Sequence, residues 1–262
     1  MINGENIDGE HKMGNSNKVL KCDNVDNTFE NIKSILNIND KQLYNLITIF
    51  GAKEMSSFRE QLICDYILPD SLECTFYNFT SCLNTESFKK GLLPLHQSFK
   101  VVFEDLFTFF GDKITQQQKN DAIDRIYELT NQEHLAFSRV KNDDGPNGYF
   151  VCEFGLSNFR GHTYYLSCSE FLEDFFQNTA DIFDFDLYKL NKENKIMVVV
   201  SFSRVIHEKK EIVKWLSYAI EYIYHKSYSS NISMCNAAFH NLGNPIAQEY
   251  IVNIEIIRKS TI

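Results

Sequence analysis

From residue 40 onward, apolar positions along this chain alternate between helical and extended periods, with capping and turn residues marking most of the changes. Leu43, Leu46, Ile47 and Phe50 keep the i, i+3, i+4, i+7 spacing of one helix face, with Asp40 placed to cap the start and Gly51 to end it. A second helix follows at once. Ser57 and Glu60 have capping-box spacing, Phe58, Leu62 and Tyr66 share a face, and Pro69 closes the segment. Residues 74–95, CTFYNFTSCLNTESFKKGLLPL, read as a buried strand, a Ser/Thr/Asn-rich corner, a short helix capped by Asn84 and a stop at Gly91. Phe99, Val102, Phe103, Leu106 and Phe110 form the next apolar helix face, ended by Gly111. Thr115 and Gln118 again have capping-box spacing, opening a helix with Ile123, Ile126, Tyr127 and Thr130 on one side.

The period then changes from 3.6 to 2. Residues 134–140 (HLAFSRV) and 149–156 (YFVCEFGL) read as the strands of a hairpin, joined across the turn formers of KNDDGPNG. Residues 167–183 return to helix through Leu172, Phe175, Phe176 and Thr179, and 195–203 (KIMVVVSFS) supply an apolar strand. Ile212, Trp215, Leu216, Ala219, Ile220 and Ile223 mark a long helix whose Lys210, Lys214, Glu221 and Lys226 turn to solvent. Residues 250–257 alternate strictly, as a closing strand should. Two short stretches echo each other, AFSRV at 136–140 and SFSRV at 201–205, both at the ends of expected strands.

This order predicts an α+β fold with a mixed or antiparallel sheet of about five to seven strands, an N-terminal helical pair and several flanking helices. Residues 1–27, polar and without period, are expected to be a disordered tail. Residues 28–70 form the helical segment and 71–262 the α+β domain.

Composition narrows the classes. The 262 residues, 44% of them hydrophobic, suffice for one large domain with a sizeable core. A net charge of −9 opposes nonspecific binding to nucleic acid, which depends on Lys and Arg neutralising phosphates. The seven cysteines form no CxxC pair, so neither a zinc ribbon nor a disulfide framework is suggested, and reduced thiols in a cytoplasmic protein fit. The N-terminus lacks the apolar region of a signal peptide, and no run of about 18 apolar residues occurs, which argues against a membrane span. HExxH, GxxxxGK[ST] and GxGxxG are absent, and no metal site is expected.

Three groups could carry chemistry. In the first, Tyr77, Asn78, Phe79, Thr80 and Ser81 sit at the C-terminal end of a strand, where polar side chains line clefts; Thr80 and Ser81 could equally satisfy backbone groups of the corner. In the second, residues 161–171 (GHTYYLSCSEF) bring His162, Tyr164, Tyr165 and Glu170 together. A carboxylate beside aromatic rings can orient a sugar hydroxyl or stabilise a developing cation, although Ser167 and Glu170 also have capping-box spacing. The third is Arg139 with His134, and Arg204 in the matching place. Arginine's planar fork suits a pyrophosphate, but a five-residue separation sets His134 and Arg139 on opposite faces of a regular strand. A cysteine nucleophile could be drawn from Cys82 or Cys168, yet no local motif pairs either with a histidine.

The run YNFTSCLNTESFKKGLLPL resembles the opening of ADP-ribosyltransferase-like domains, in which a strand with a polar or His position precedes a short helix ending in Gly-Leu. The aromatic hairpin, TYYLSCSEFL and the closing NPIAQEYIVNIEII follow in compatible order, so the resemblance spans residues 74–257. It implies NAD as substrate and no metal. Asn78 stands where many of these domains have the His that holds the NAD ribose. Thr80 and Arg139 would join Asn78 in binding NAD, Tyr164 or Tyr165 would stack on nicotinamide, and Glu170 would engage the ribose 2′-hydroxyl as the glycosidic bond breaks. The implied protein is an NAD-consuming effector of a toxin or defence system, acting on a small-molecule nucleotide or a protein target. The alternative is a noncatalytic scaffold that binds a partner through its helices at 40–68 and around Trp215.

Overall fold

The computed structural model describes residues 18–131, 145–161, 170–229, 231–235 and 237–257. Its centre is a pair of long strands, β2 (Leu72–Cys82) and β4 (Ile196–Ile206), antiparallel over their whole length from Leu72 opposite Ile206 to Cys82 opposite Ile196. The other edge of β2 is shared. β1 (Lys18–Leu20) runs parallel to residues 72–74, and β3 (Asn147–Tyr149) pairs antiparallel at Tyr77. β5 (Ala238–His240) lies outside β3, and β6 (Ile251–Ile257) lies outside β4, giving the order β5-β3-β2-β4-β6 with β1 beside β2. The α+β class and the six-stranded sheet agree with the sequence.

Two apolar cores divide the chain. The first joins the sheet to α1 (Val25–Leu36), α2 (Asp40–Gly51), α3 (Met55–Asp65) and the C-terminal helix α9 (Lys209–Tyr228). Its centre is Phe76, with ring centroids 4.9 Å from Trp215, 4.8 Å from Phe239 and 5.7 Å from Phe202. Gly148 makes room for this cluster, since a Cβ there would lie 2.7 Å from the Phe202 ring. The second core is helical and is built within residues 83–195, between the two long strands. There α4 (Leu95–Phe109) supplies Phe103, Leu106 and Phe107, and α5 (Gln116–Asn131) supplies Ala122 and Ile126. Facing them are Phe171, Phe175 and Phe176 of α7 (Glu170–Asn178) and Leu187 of α8 (Leu187–Asn194). The helix between β3 and α7, α6 (Cys152–Gly161), returns to the first core through Phe154.

Several expectations need correction. The polar segment ends before residue 27: Leu20 and Cys22 are fully buried, and α1 begins at Val25 behind an Asn24 cap. Burial against β2 overrides the local polarity there. Residues 149–156 do not form one strand, because the chain leaves β3 after Tyr149 and turns helical at Cys152. Phe150, Val151 and Phe154, all buried, are spaced i, i+1 and i+4, a helical period rather than an alternating one. The partner strand expected at 134–140 lies outside the described residues. Asn39, not Asp40, caps α2, in a reciprocal box with Gln42. On α5 the buried side is Ala122 and Ile126, while Ile123 and Tyr127 are exposed. In β6 strict alternation is interrupted by a register shift opposite Ser201 and Phe202, leaving Ile251 and Ile254 packed inward and Val252 exposed. Arg204 lies inside β4 rather than at its end, with its guanidinium 5.7 Å from the ring centroids of both Phe239 and Tyr250.

Candidate functional site

The two cores leave a cleft between them at the C-terminal end of β2. Asn78, Thr80 and Cys82, two residues apart, share one face of the strand and line it. The chain then turns at Asn84, whose side chain accepts from the Glu86 N–H and opens a 3-10 turn, Thr85–Lys90, contributing Ser87 and Phe88. Gly91 ends that turn at φ 87° and ψ −168°, backbone angles that essentially only glycine adopts. Leu92 then exchanges two backbone hydrogen bonds with Ile246, at 2.9 and 2.8 Å.

The opposite wall is α4, whose two stripes serve two purposes. Phe103, Leu106, Phe107 and Phe110 enter the helical core, while Ser98, Val101, Val102 and Asp105, at i, i+3, i+4 and i+7, face the cleft. Residues 145–147, Leu172 of α7, and Asn191 and Lys195 complete the lining around a cavity of about 400 Å³. The lining alternates apolar walls with hydroxyl, amide and carboxylate groups, the composition of a small-molecule site.

Within the cleft the polar groups are held in place. Asn78 Nδ2 donates to the Asn147 carbonyl at 2.7 Å, and the Asn147 side chain lies 3.0 Å from His240 Nδ1 on β5. Asn78 therefore ties β2 to β3 at the point where the two strands part, with its amide oxygen left to accept. Ser87 Oγ is 2.5 Å from Asp105 Oδ2 and 2.7 Å from the Asn84 carbonyl, pinning the carboxylate between the turn and α4. Burial, reinforced by the Asp105 charge, pushes the Cys82 thiol up to about 11, so it stays protonated at neutral pH and is a poor nucleophile. Burial likewise raises Cys152 to about 11 and Cys235 to about 12.

Of the residues singled out in the sequence, the structure brings Asn78 and Thr80 together in the cleft, with Ser81 beside them. Arg139, Tyr164 and Tyr165 lie outside the described residues, as do His134, His162 and Cys168. Of Glu170 the backbone is described, opening α7 two residues before cleft-lining Leu172. Sequence reasoning missed Asp105, Ser87, Asn191 and Lys195. The signal for Asp105 was present, as a carboxylate in helical register with Ser98, Val101 and Val102, on a second stripe hidden beside the stronger phenylalanine face. Among the described residues, no group of three or more His, Cys, Asp or Glu side chains is arranged to hold a metal ion. No described helix is long and apolar enough to cross a membrane. No family model, curated protein or solved structure matches the chain.

Proposed function

We propose that the cleft between the two cores binds a nucleotide-type small molecule, and that the protein consumes NAD by ADP-ribosyltransferase-like chemistry there, as an effector in a toxin or defence system. One observation carries the reading: Asn78 and Thr80 share this cleft with described residues that follow the other two candidate stretches in sequence. Asn78 and Thr80 line it directly. Cleft-lining residues 145–147 follow the stretch containing Arg139, and Leu172 follows Tyr164, Tyr165 and Glu170.

In this reading Asn78, Thr80 and Arg139 hold NAD, and Tyr164 or Tyr165 stacks on the nicotinamide ring. The Glu170 carboxylate accepts a hydrogen bond from the ribose 2′-hydroxyl as the C1′–N bond breaks through an oxocarbenium-like state. The bonding electrons leave with nicotinamide, which departs neutral, and C1′ is taken by water or by a nucleophile of the target. Purified protein incubated with NAD should release nicotinamide, and Glu170→Gln should lose at least about a hundredfold in turnover while keeping its circular dichroism spectrum. Absence of both nicotinamide release and calorimetric NAD binding would sink the reading. Loss of fold in Glu170→Gln with NAD turnover intact in the parent protein would reduce Glu170 to a helix cap.

A second reading, a noncatalytic interaction protein, draws on a different observation. The helices at 40–68 and around Trp215 bury Phe58, Leu62 and Trp215 in the first core and leave Tyr44 and Ile63 exposed. Among the described strands, however, β6 ends the sheet and exposes Val252 and Ile256. Such an edge suits an added strand from a partner. Mass-resolved size measurement, with and without Val252→Lys, separates this reading from an isolated enzyme: a partner of defined mass should be recovered with the parent chain and lost with the variant.

A further inference from the structure

We propose that Asp105, positioned by Ser87, is the cleft's receptor for a vicinal diol, so that the described lining holds its ligand through a ribose-type sugar. The inference rests on the cleft being the ligand site. It does not depend on which nucleotide is consumed.

Among the described residues lining the cleft, Asp105 is the anion and Lys195 the cation, so the lining itself presents no cluster of positive charge to a diphosphate. Phosphate recognition ordinarily recruits arginine forks or several lysines, and a carboxylate facing the ligand repels phosphate. A carboxylate is, by contrast, the acceptor of choice for two adjacent hydroxyls, since each of its oxygens can take a hydrogen bond and charge-assisted bonds are about twice as strong as neutral ones.

Geometry supplies the second step. Ser87 Oγ occupies Asp105 Oδ2 at 2.5 Å and itself sits 2.7 Å from the Asn84 carbonyl, so the turn anchored by Asn84 fixes the carboxylate's orientation before any ligand arrives. That leaves Oδ1 and the second lone pair of Oδ2 as acceptors. Val101 and Val102 on the same helix line the cleft beside the carboxylate and offer an apolar surface for the flat ring of a base. The preformed acceptor pair lowers the ordering cost of binding.

The test compares ribosides with their deoxy counterparts, adenosine against 3′-deoxyadenosine and nicotinamide riboside against its 2′-deoxy analogue, with inorganic pyrophosphate as the charge control. Calorimetry on the full chain should show at least one riboside binding roughly tenfold to a hundredfold more tightly than its deoxy form. Pyrophosphate should not displace the riboside. Asp105→Asn keeps the shape and can still accept from Ser87, and it should abolish the preference. Ser87→Ala, which releases the carboxylate without removing it, should reduce the preference and serves if Asp105→Asn does not fold. Equal affinity for both members of each pair, a preference that survives in folded Asp105→Asn, or displacement of the riboside by pyrophosphate overturns the proposal. NAD binding or turnover without any diol preference removes Asp105 from the site and leaves the NAD reading standing. A diol preference without NAD binding does the reverse, and binding of no probe removes both.

Discussion

Gly91 joins the 3-10 turn to the segment that walls the cleft, in a backbone conformation closed to side-chain-bearing residues, and a Cβ there would run into the Ile246 carbonyl. Gly91→Ala should therefore lower stability by about 2 kcal/mol or more, read as a shift in the urea midpoint, because strain and clash act together. A second residue-scale consequence follows from two half-buried thiols. Cys82 and Cys152 ionise at about 11 in the folded chain, above an ordinary value near 9. The unfolded chain loses these protons first, so between pH 9 and 11 it binds fewer protons than the native state and stability falls as pH rises. The urea midpoint should decline over that window, and Cys82→Ala should flatten the decline. A midpoint constant from pH 8 to 11 in the parent chain would remove this thiol account. Alkylation at neutral pH should mark exposed Cys64 well before buried Cys22, Cys74 or Cys235.

At the scale of elements, the caps at Asn84 and Thr115 were legible in the sequence, whereas Ser57 lies inside α3, which begins at Met55 behind Glu54 with no side-chain cap. The Thr115–Gln118 box is present, with Gln118 Oε1 accepting from the Thr115 N–H at 2.9 Å and Thr115 Oγ1 accepting from the Gln118 N–H at 3.2 Å. Asn39 and Gln42 form the equivalent box on α2. Thr115→Ala and Asn39→Ala should each cost about 1 kcal/mol, with faster hydrogen exchange confined to the first turn of the altered helix. The long helix α9 was equally readable, because Ile212, Trp215, Leu216, Ala219, Ile220 and Ile223 are all buried as their spacing requires. What could not be read depends on neighbours distant in sequence. β1 is three residues long and exists because residues 72–74 offer it an edge. The cleft was half legible for the same reason. Asn78 and Thr80 stood out as polar residues in an apolar strand, whereas Ser87 and Asp105 acquire meaning only when α4 closes over the 3-10 turn.

For the whole molecule, the decisive feature is that two apolar cores share one cleft. The chain's single tryptophan, Trp215, is buried in the sheet core, against Phe76 and Phe150. Its fluorescence therefore reports that core alone, while far-ultraviolet circular dichroism reports helices of both. Phe175, fully buried in the second core, packs 4.5 Å from Phe103 between ring centroids. Phe175→Ala should cost the helical core about 3–5 kcal/mol. If the cores are separable, the dichroism midpoint in urea should fall while the Trp215 midpoint stays at its parent value, a divergence that two-state unfolding forbids. Coincident shifts of both signals would instead make the chain one cooperative unit. The cleft predicts how the two signals respond to ligand. Asp105 and Leu172 belong to elements of the helical core, and Asn78 and Thr80 to the sheet, so a ligand touching both walls binds only when both are folded. At about a hundred times its dissociation constant such a ligand contributes about 2.7 kcal/mol, and it should draw the two midpoints of Phe175→Ala back together.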